Sequence, residues 1–194
     1  MNNVCVFCGG NPGVRPSYAA AARALGAELV SRGLGLVYGG AQVGLMGEVA
    51  DAVLGCGGRV FGVIPGFLSA REIAHGSLSE LRVVATMHER KALMADSSEA
   101  FVALPGGYGT LDEMFEILTW GQLGLHRKPC GVLNVDGYFD GLLAYLDRSV
   151  EEGFLKPEYR SLLSVGATPK ELLDTMLARR VPPGEGWMKS TDQA

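Results

Sequence analysis

The sequence predicts a doubly wound α/β fold, a parallel sheet with helices on both faces. Two observations carry this reading. Short apolar runs alternate with longer stretches of helical period along most of the chain, and strand, helix, strand repeated in this way specifies a parallel sheet covered on both sides. The 28 glycines concentrate where the apolar runs end, in "CGGNPG", "YGGAQVG" and "PGGYG". The carboxyl ends of strands are where an open parallel sheet binds ligands, so three such turns point to a nucleotide-sized ligand.

The first strand is "VCVF" (Val4 to Phe7), followed by a helix over about Tyr18 to Arg32. A strand in "GLGLVYGG", a helix over about Leu45 to Leu54 and a strand in "RVFGVIP" come next. After a less regular segment the pattern resumes with "LRVVA", a helix over about Met87 to Ser97, "AFVAL", a helix over about Leu111 to Leu123, "PCGVLNV" and a helix near Phe139 to Glu152. A strand near Leu162 to Val165 and a helix over about Lys170 to Arg180 complete one expected domain, residues 1–180. The last stretch, "VPPGEGWMKSTDQA", reads as a frayed tail over 181–194.

At 194 residues, 47% hydrophobic and 20% charged, the chain is long enough for one sizeable core and too short for two ordinary domains. Net charge is −4 and the pI about 5.4, so neither nucleic acid nor an anionic membrane is an expected partner. Any phosphate must be held by a local site. A basic segment followed by an apolar one is missing at the start, and no apolar stretch is long enough to span a bilayer, so the expected location is cytoplasmic. Cys5 and Cys8 form a C-x-x-C, but on a strand positions three apart point to opposite faces, which predicts buried free thiols rather than a chelate or redox pair.

The glycines of the first turn, at 9, 10 and 13, do not fit G-x-G-x-x-G, and no acidic residue ends the second strand, which disfavours NAD. A Walker-type G-x-x-x-x-G-K-[ST] is missing too. In "PGGYGTLDE" (Pro105 to Glu113), Gly106, Gly107 and Gly109 leave backbone amides uncovered, and Thr110 reads as the N-cap of the next helix, so turn and helix start form an anion site. Thr110-x-x-Glu113 also fits a capping box, so spacing alone leaves a structural and a functional reading of Glu113 open. Thr86-x-x-Glu89 is a second capping box, which makes Glu89 structural. Arg90 and Lys91 follow in the first turns of a helix, where the macrodipole disfavours cations unless an anion faces them; a phosphate or carboxylate is expected there. The helix after the glycine turn carries Asp112, Glu116 and Thr119 on one stripe and Leu111, Phe115 and Leu118 on another, apolar enough to be buried or to meet a second subunit. His75, His88 and His126 are scattered without a metal-binding spacing, so no metal is expected.

Read together, "CGG", "YGG" with "GLMG", "GVIP", "MHERK" and "PGGYGTLDE" resemble the "lonely guy" family of cytokinin-nucleotide phosphoribohydrolases, from Val4 to about Glu152. The family's members have often been labelled lysine decarboxylases, a label these residues do not support. The resemblance implies a Rossmann-like fold, hydrolysis of the N-glycosidic bond of an adenine-type nucleoside 5'-monophosphate without metal or organic cofactor, and a homodimer whose active site is completed across the interface. It implies that Arg90 and Glu113 are the catalytic pair and that Gly106, Gly107, Tyr108, Gly109 and Thr110 form the phosphate loop. Lys91, Glu72 and Thr119 match further nucleotide contacts. The family usually has serine after the first glycine of the first loop, where this chain has Gly10 and then Asn11.

The chemistry suits these residue types. Cleavage of a ribosyl C–N bond passes through an oxocarbenium-like sugar, which a carboxylate stabilises while it activates water. Glu113 takes that role and Arg90 orients the nucleotide. Two rivals remain at this point: a general AMP hydrolase of purine salvage, and a nucleotide-binding protein without turnover, against which the pairing of Arg90 with Glu113 speaks. Candidate walls for a base substituent are Leu45, Met87 and Met94.

Overall fold

The structure is a computed structural model that describes residues 2–69 and 74–178. Glu72 and the expected tail at 181–194 lie outside the described residues, as do the last two residues of the expected C-terminal helix. Seven parallel strands form one sheet: β1 (Asn3–Phe7), β2 (Gly35–Tyr38), β3 (Val60–Pro65), β4 (Glu80–Val84), β5 (Ala100–Ala103), β6 (Cys130–Leu133) and β7 (Leu163–Gly166). Their order across the sheet is β4-β3-β2-β1-β5-β6-β7. The chain therefore runs outwards from β1 to one edge, returns to the other side of β1 and runs outwards again. The reversal falls between β1 and β5, and at such a point the flanking loops part to leave a crevice above the strand ends.

The connecting helices are α1 (Pro16–Ser31), α2 (Gly44–Gly55), the single turn α3 (Gly66–Ser69), α4 (Met87–Asp96), α5 (Tyr108–Leu123), α6 (Asp140–Glu151), the short α7 (Pro157–Arg160) and α8 (Pro169–Ala178). Each strand and long helix named from the sequence is present within a few residues of its expected bounds. α1 starts two residues early because Pro16 occupies its first position, where its fixed φ suits a helix and its missing N–H is no loss.

Helices cover both faces of the sheet. Leu25, Leu29, Val49, Val53, Leu172 and Met176 from α1, α2 and α8 pack on one face, and Met94, Met114, Ile117, Trp120 and Leu146 from α4, α5 and α6 on the other. The alternation within β1 follows: Val4, Val6 and Cys8 join the first core, Cys5 and Phe7 the second. Cys5 and Cys8 are thus buried free thiols on opposite faces, as their spacing predicts. On α5 the inward stripe is Met114, Ile117 and Trp120, whereas Leu111, Phe115 and Leu118 are only partly buried. Among the described residues no helix is long and apolar enough to cross a membrane.

The expected capping box at the start of α4 forms. Thr86 caps α4 by accepting from Glu89 N–H at 3.1 Å, while the Glu89 carboxylate accepts from Ala85 N–H at 2.8 Å. His75 Nδ1 accepts from Ser77 N–H at 3.2 Å, so its Nε2 carries the proton and donates to Asp51 at 3.0 Å.

α1 and α2 meet at Gly26, where a Cβ would stand 2.8 Å from Ala52 Cβ and 2.9 Å from Val49 O. A side chain there must push the helices apart. Gly26→Val is expected to lower stability by about 1–3 kcal/mol in urea unfolding, with an unchanged m-value.

Candidate active site

Three loops meet at the strand reversal and are stitched by their backbones. Gly9 N–H donates to Pro105 O at 3.0 Å, and Leu45 N–H donates to Gly9 O at 3.0 Å. Glycine is demanded by these approaches. Gly44, at φ 58°, is so close to the Gly10 backbone that a Cβ would overlap it, and a Cβ on Gly106 would collide with Thr110 Oγ1. Between the loops lies a cleft of about 450 Å³ whose wall includes Gly10, Tyr18, Leu45, Met46, Gly107 and Tyr138, with Arg90 and Glu113 at its floor.

The start of α5 differs from the sequence reading. The N-cap is Gly107, at φ −100° and ψ −147°, with no side-chain cap, and Tyr108 is already helical. Thr110 falls at the third helical position with its side chain buried against Gly106. Residue 110 therefore caps nothing, and the Thr110-x-x-Glu113 capping box does not form. The physical reason is Gly107, which breaks from helical backbone without a side chain and lets the helix begin three residues sooner. One consequence is chemical: the amides of Tyr108, Gly109 and Thr110 have no acceptor within the helix. A Cβ at Gly107 or Gly109 would touch nothing within 4 Å, so these two glycines keep the amides open to solvent, whereas Gly106 permits close packing. Tyr108 is 95% exposed and offers its amide rather than its ring.

Arg90 rises from the first turns of α4 and is 8% exposed. Its Nε donates to Val63 O at 3.1 Å, within β3, and its Nη2 to Gly39 O at 3.1 Å, just past β2. A Cβ on Gly39 would occupy the place of that guanidinium. Two carbonyls thus fix the group and leave Nη1 facing Glu113 Oε1 at 3.8 Å. The anion that the sequence requires opposite Arg90 is this carboxylate. Glu113 is itself 9% exposed. Burial pushes its carboxyl up to about 7; Arg90 and, less strongly, Lys91 oppose the rise, while Asp112 and Glu116 add to it. At neutral pH the group therefore sits near its midpoint, the range in which a carboxylate exchanges protons with substrate or water.

Lys91 does not line the cleft. Its Nζ lies 3.1 Å from Asp112 Oδ2 and 3.0 Å from Glu116 Oε1, so it ties α4 to α5 and answers the expectation of an anion with two carboxylates of its own chain. Thr119 is exposed about three turns along α5, its hydroxyl donating to Phe115 O at 2.7 Å. Of the expected walls, Leu45 lines the cleft, Met87 Sδ lies 4.0 Å from Arg90 Nη1, and Met94 is in the core. Cys8, from the "CGG" motif, also lines it, as do Tyr18 and Tyr138, which no motif flags; burial raises the Cys8 thiol, which stays protonated.

Fold and site together define a Rossmann-like α/β protein with a buried guanidinium–carboxylate pair at its strand reversal. Residues 46–176 match a family model described as possible lysine decarboxylase. The probable cytokinin riboside 5'-monophosphate phosphoribohydrolase LOGL5 of Oryza sativa subsp. japonica is 54% identical over 94% of this chain and 74% of its own. The cytokinin riboside 5'-monophosphate phosphoribohydrolase LOG3 of Arabidopsis thaliana is 54% identical over 89% of this chain and 80% of its own. The chain belongs to this phosphoribohydrolase family. Among solved structures, the molybdenum cofactor binding protein from Rippkaea orientalis superimposes with a TM-score of 0.70 at 20% identity, covering 92% of this chain and 97% of the other. The Moco carrier protein from Chlamydomonas reinhardtii does so with a TM-score of 0.69 at 22% identity over 92% and 98%. At these identities the likeness is one of fold.

The raised Glu113 carboxyl links to stability with a definite sign. Its folded pKa of about 7 lies above the ordinary 4.5, so between these values the folded state holds the extra proton and stability falls as pH rises, by up to about 3 kcal/mol beyond pH 7. Glu113→Gln, which mimics the protonated form, is expected to match the parent protein near pH 5 and to be more stable at pH 8, as thermal unfolding at the two pH values will show.

Proposed function

We propose that this protein hydrolyses the N-glycosidic bond of N6-substituted AMP, a cytokinin riboside 5'-monophosphate, to the free base and ribose 5-phosphate. The observation that carries this reading is the placement of Glu113 and Arg90 at the floor of a cleft whose rim carries the free amides of α5. In the proposed complex the 5'-phosphate lies against the amides of Gly107, Tyr108, Gly109 and Thr110, where partial positive charge and orphan donors favour an anion. The ribose then lies over Glu113, and Arg90 Nη1 orients it. As the C1'–N9 bond breaks, its electron pair passes to the base, the ionised carboxylate stabilises the cationic sugar, and water adds to C1' while giving its proton to Glu113. The departing nitrogen regains a proton, and the balance is nucleotide plus water to base plus ribose 5-phosphate. Tyr18, Leu45 and Met46 supply an apolar wall for the base and its substituent.

A lysine decarboxylase would need a lysine placed to form a Schiff base with pyridoxal phosphate. Among the described residues the cleft lining contains no lysine, and Lys91 is committed to Asp112 and Glu116. The residues do not fit that cofactor.

The homodimer belongs to the same reading. Leu111, Phe115 and Leu118 leave α5 a partly exposed apolar stripe beside Thr119, on which a second protomer packs in this reading. Cytoplasmic location accords with a free nucleotide substrate.

Base release from N6-isopentenyl-AMP and from AMP by the purified protein tests the assignment. The prenylated nucleotide is expected to be cleaved faster, and Glu113→Gln to lose about 10²- to 10⁴-fold in kcat. Faster cleavage of AMP would instead assign a salvage role, and binding without release would make the protein a nucleotide binder. The corresponding nucleoside, lacking the phosphate, is expected to fall by about 100-fold or more in kcat/KM, the worth of two charge-assisted hydrogen bonds. Because the ionised carboxylate is the working form, kcat/KM is expected to rise with pH and level off above about 7, and this limb should vanish in Glu113→Gln.

A further inference from the structure

The turn between β6 and α6 brings to the cleft a side chain that none of the motifs contains. Tyr138 Oη donates to Gly106 O at 2.6 Å, and its ring stands edge-on to Tyr18 at 5.6 Å and to Phe139 at 5.1 Å. The turn that carries it is held at several points. Asn134 Oδ1 accepts from Phe139 N–H at 2.8 Å, and Asn134 Nδ2 donates to Asp140 Oδ1 at 2.7 Å. Asp136 adopts a left-handed φ of 51°, the one non-glycine to do so among the described residues. Such a conformation persists only where its surroundings over-determine it. Here the Asp136 carboxylate accepts from Ser17 Oγ at 2.5 Å and lies 3.9 Å from Arg15 Nη1, at the start of α1 and just beyond the first glycine loop.

Gly106 and Gly107 form a peptide unit with a glycine on either side, the kind of unit that rotates most readily. In a trans peptide the C=O and N–H point in opposite directions, so rotation of this unit would bring the Gly106 oxygen towards the place of the Gly107 N–H and set a partial negative charge against an anion. We propose that Tyr138 is a positioning residue for the reaction: its hydroxyl holds the Gly106 carbonyl and thereby keeps the Gly107 N–H turned to receive the substrate's 5'-phosphate. The inference rests on the phosphate placement proposed above. Tyr138 does not itself take part in the chemistry, since its hydroxyl hydrogen is already given to Gly106. The contacts also link three segments, the start of α1, the β6–α6 turn and the Gly106 turn.

Tyr138→Phe keeps both ring contacts and removes only the hydroxyl. AMP and ribose 5-phosphate are expected to bind about five- to ten-fold more weakly to the variant by calorimetry, the usual worth of one hydrogen bond. Its KM for the nucleotide should rise by the same factor, with kcat changed less than about two-fold. Residual cleavage of the nucleoside, which has no phosphate to place, should fall far less than cleavage of the nucleotide, and the thermal midpoint should drop by no more than a few degrees, the cost of the one hydrogen bond lost. Equal affinity of variant and parent for AMP and ribose 5-phosphate would overturn the inference while leaving the phosphate placement standing. An equal loss on nucleoside and nucleotide would also overturn it, showing general damage to the cleft. If the parent protein bound neither AMP nor ribose 5-phosphate, the phosphate placement would fall and this inference with it.

Discussion

The contact on which the site depends is the backbone hydrogen bond from Gly9 N–H to Pro105 O, across the strand reversal. β1 and β5 are neighbours in the sheet, yet their chains leave it towards helices on opposite faces, so the loops above them would normally diverge. Gly9 binds the β5 loop through its N–H and the start of α2 through its carbonyl, which gathers three loops around one narrow cleft. Backbones can come this close only where Cβ atoms are missing, which explains why Gly44 and Gly106 cannot carry side chains. The open glycines, 107 and 109, then present amides to the space so formed.

Beneath that cradle the protein holds a charge pair in a place that disfavours charge. Arg90 tolerates burial because two carbonyls accept from it. Glu113 has no such compensation: at 3.8 Å from Arg90 the attraction offsets only part of its desolvation. A neutral isostere there would remove that cost above about pH 7. Retaining a carboxylate poised between its two protonation states is a cost that makes sense in catalysis and not in packing.

Around the pair, other side chains act through geometry. Lys91 pins α4 to α5 through Asp112 and Glu116, and so holds the two helices that carry Arg90 and Glu113 in register. Tyr138 and the strained Asp136 brace the Gly106 turn from the far side of the cleft. The site is thus braced from α4, from α1 and from the β6–α6 turn, while its floor is set by β3 and the end of β2.

The sequence by itself determined the strand and helix order, the burial of alternate residues along β1, the placement of glycines at strand ends and the need for an anion opposite Arg90. All of these follow from local periodicity and from the chemistry of neighbouring residues. It also carried a false local signal, the Thr110 to Glu113 capping box, because spacing cannot report that Gly107 opens the helix early and that Thr110 is needed against Gly106. Tertiary structure alone decided which anion meets each cation. Arg90 pairs with Glu113, 23 positions on, and Lys91 with Asp112 and Glu116, because the sheet order sets α4 beside α5. Tyr138 was invisible for the same reason: it lies 32 residues from Gly106 in the chain, in a turn with no motif. A local pattern can announce a loop that binds something; only the folded chain can say which distant side chain holds that loop still.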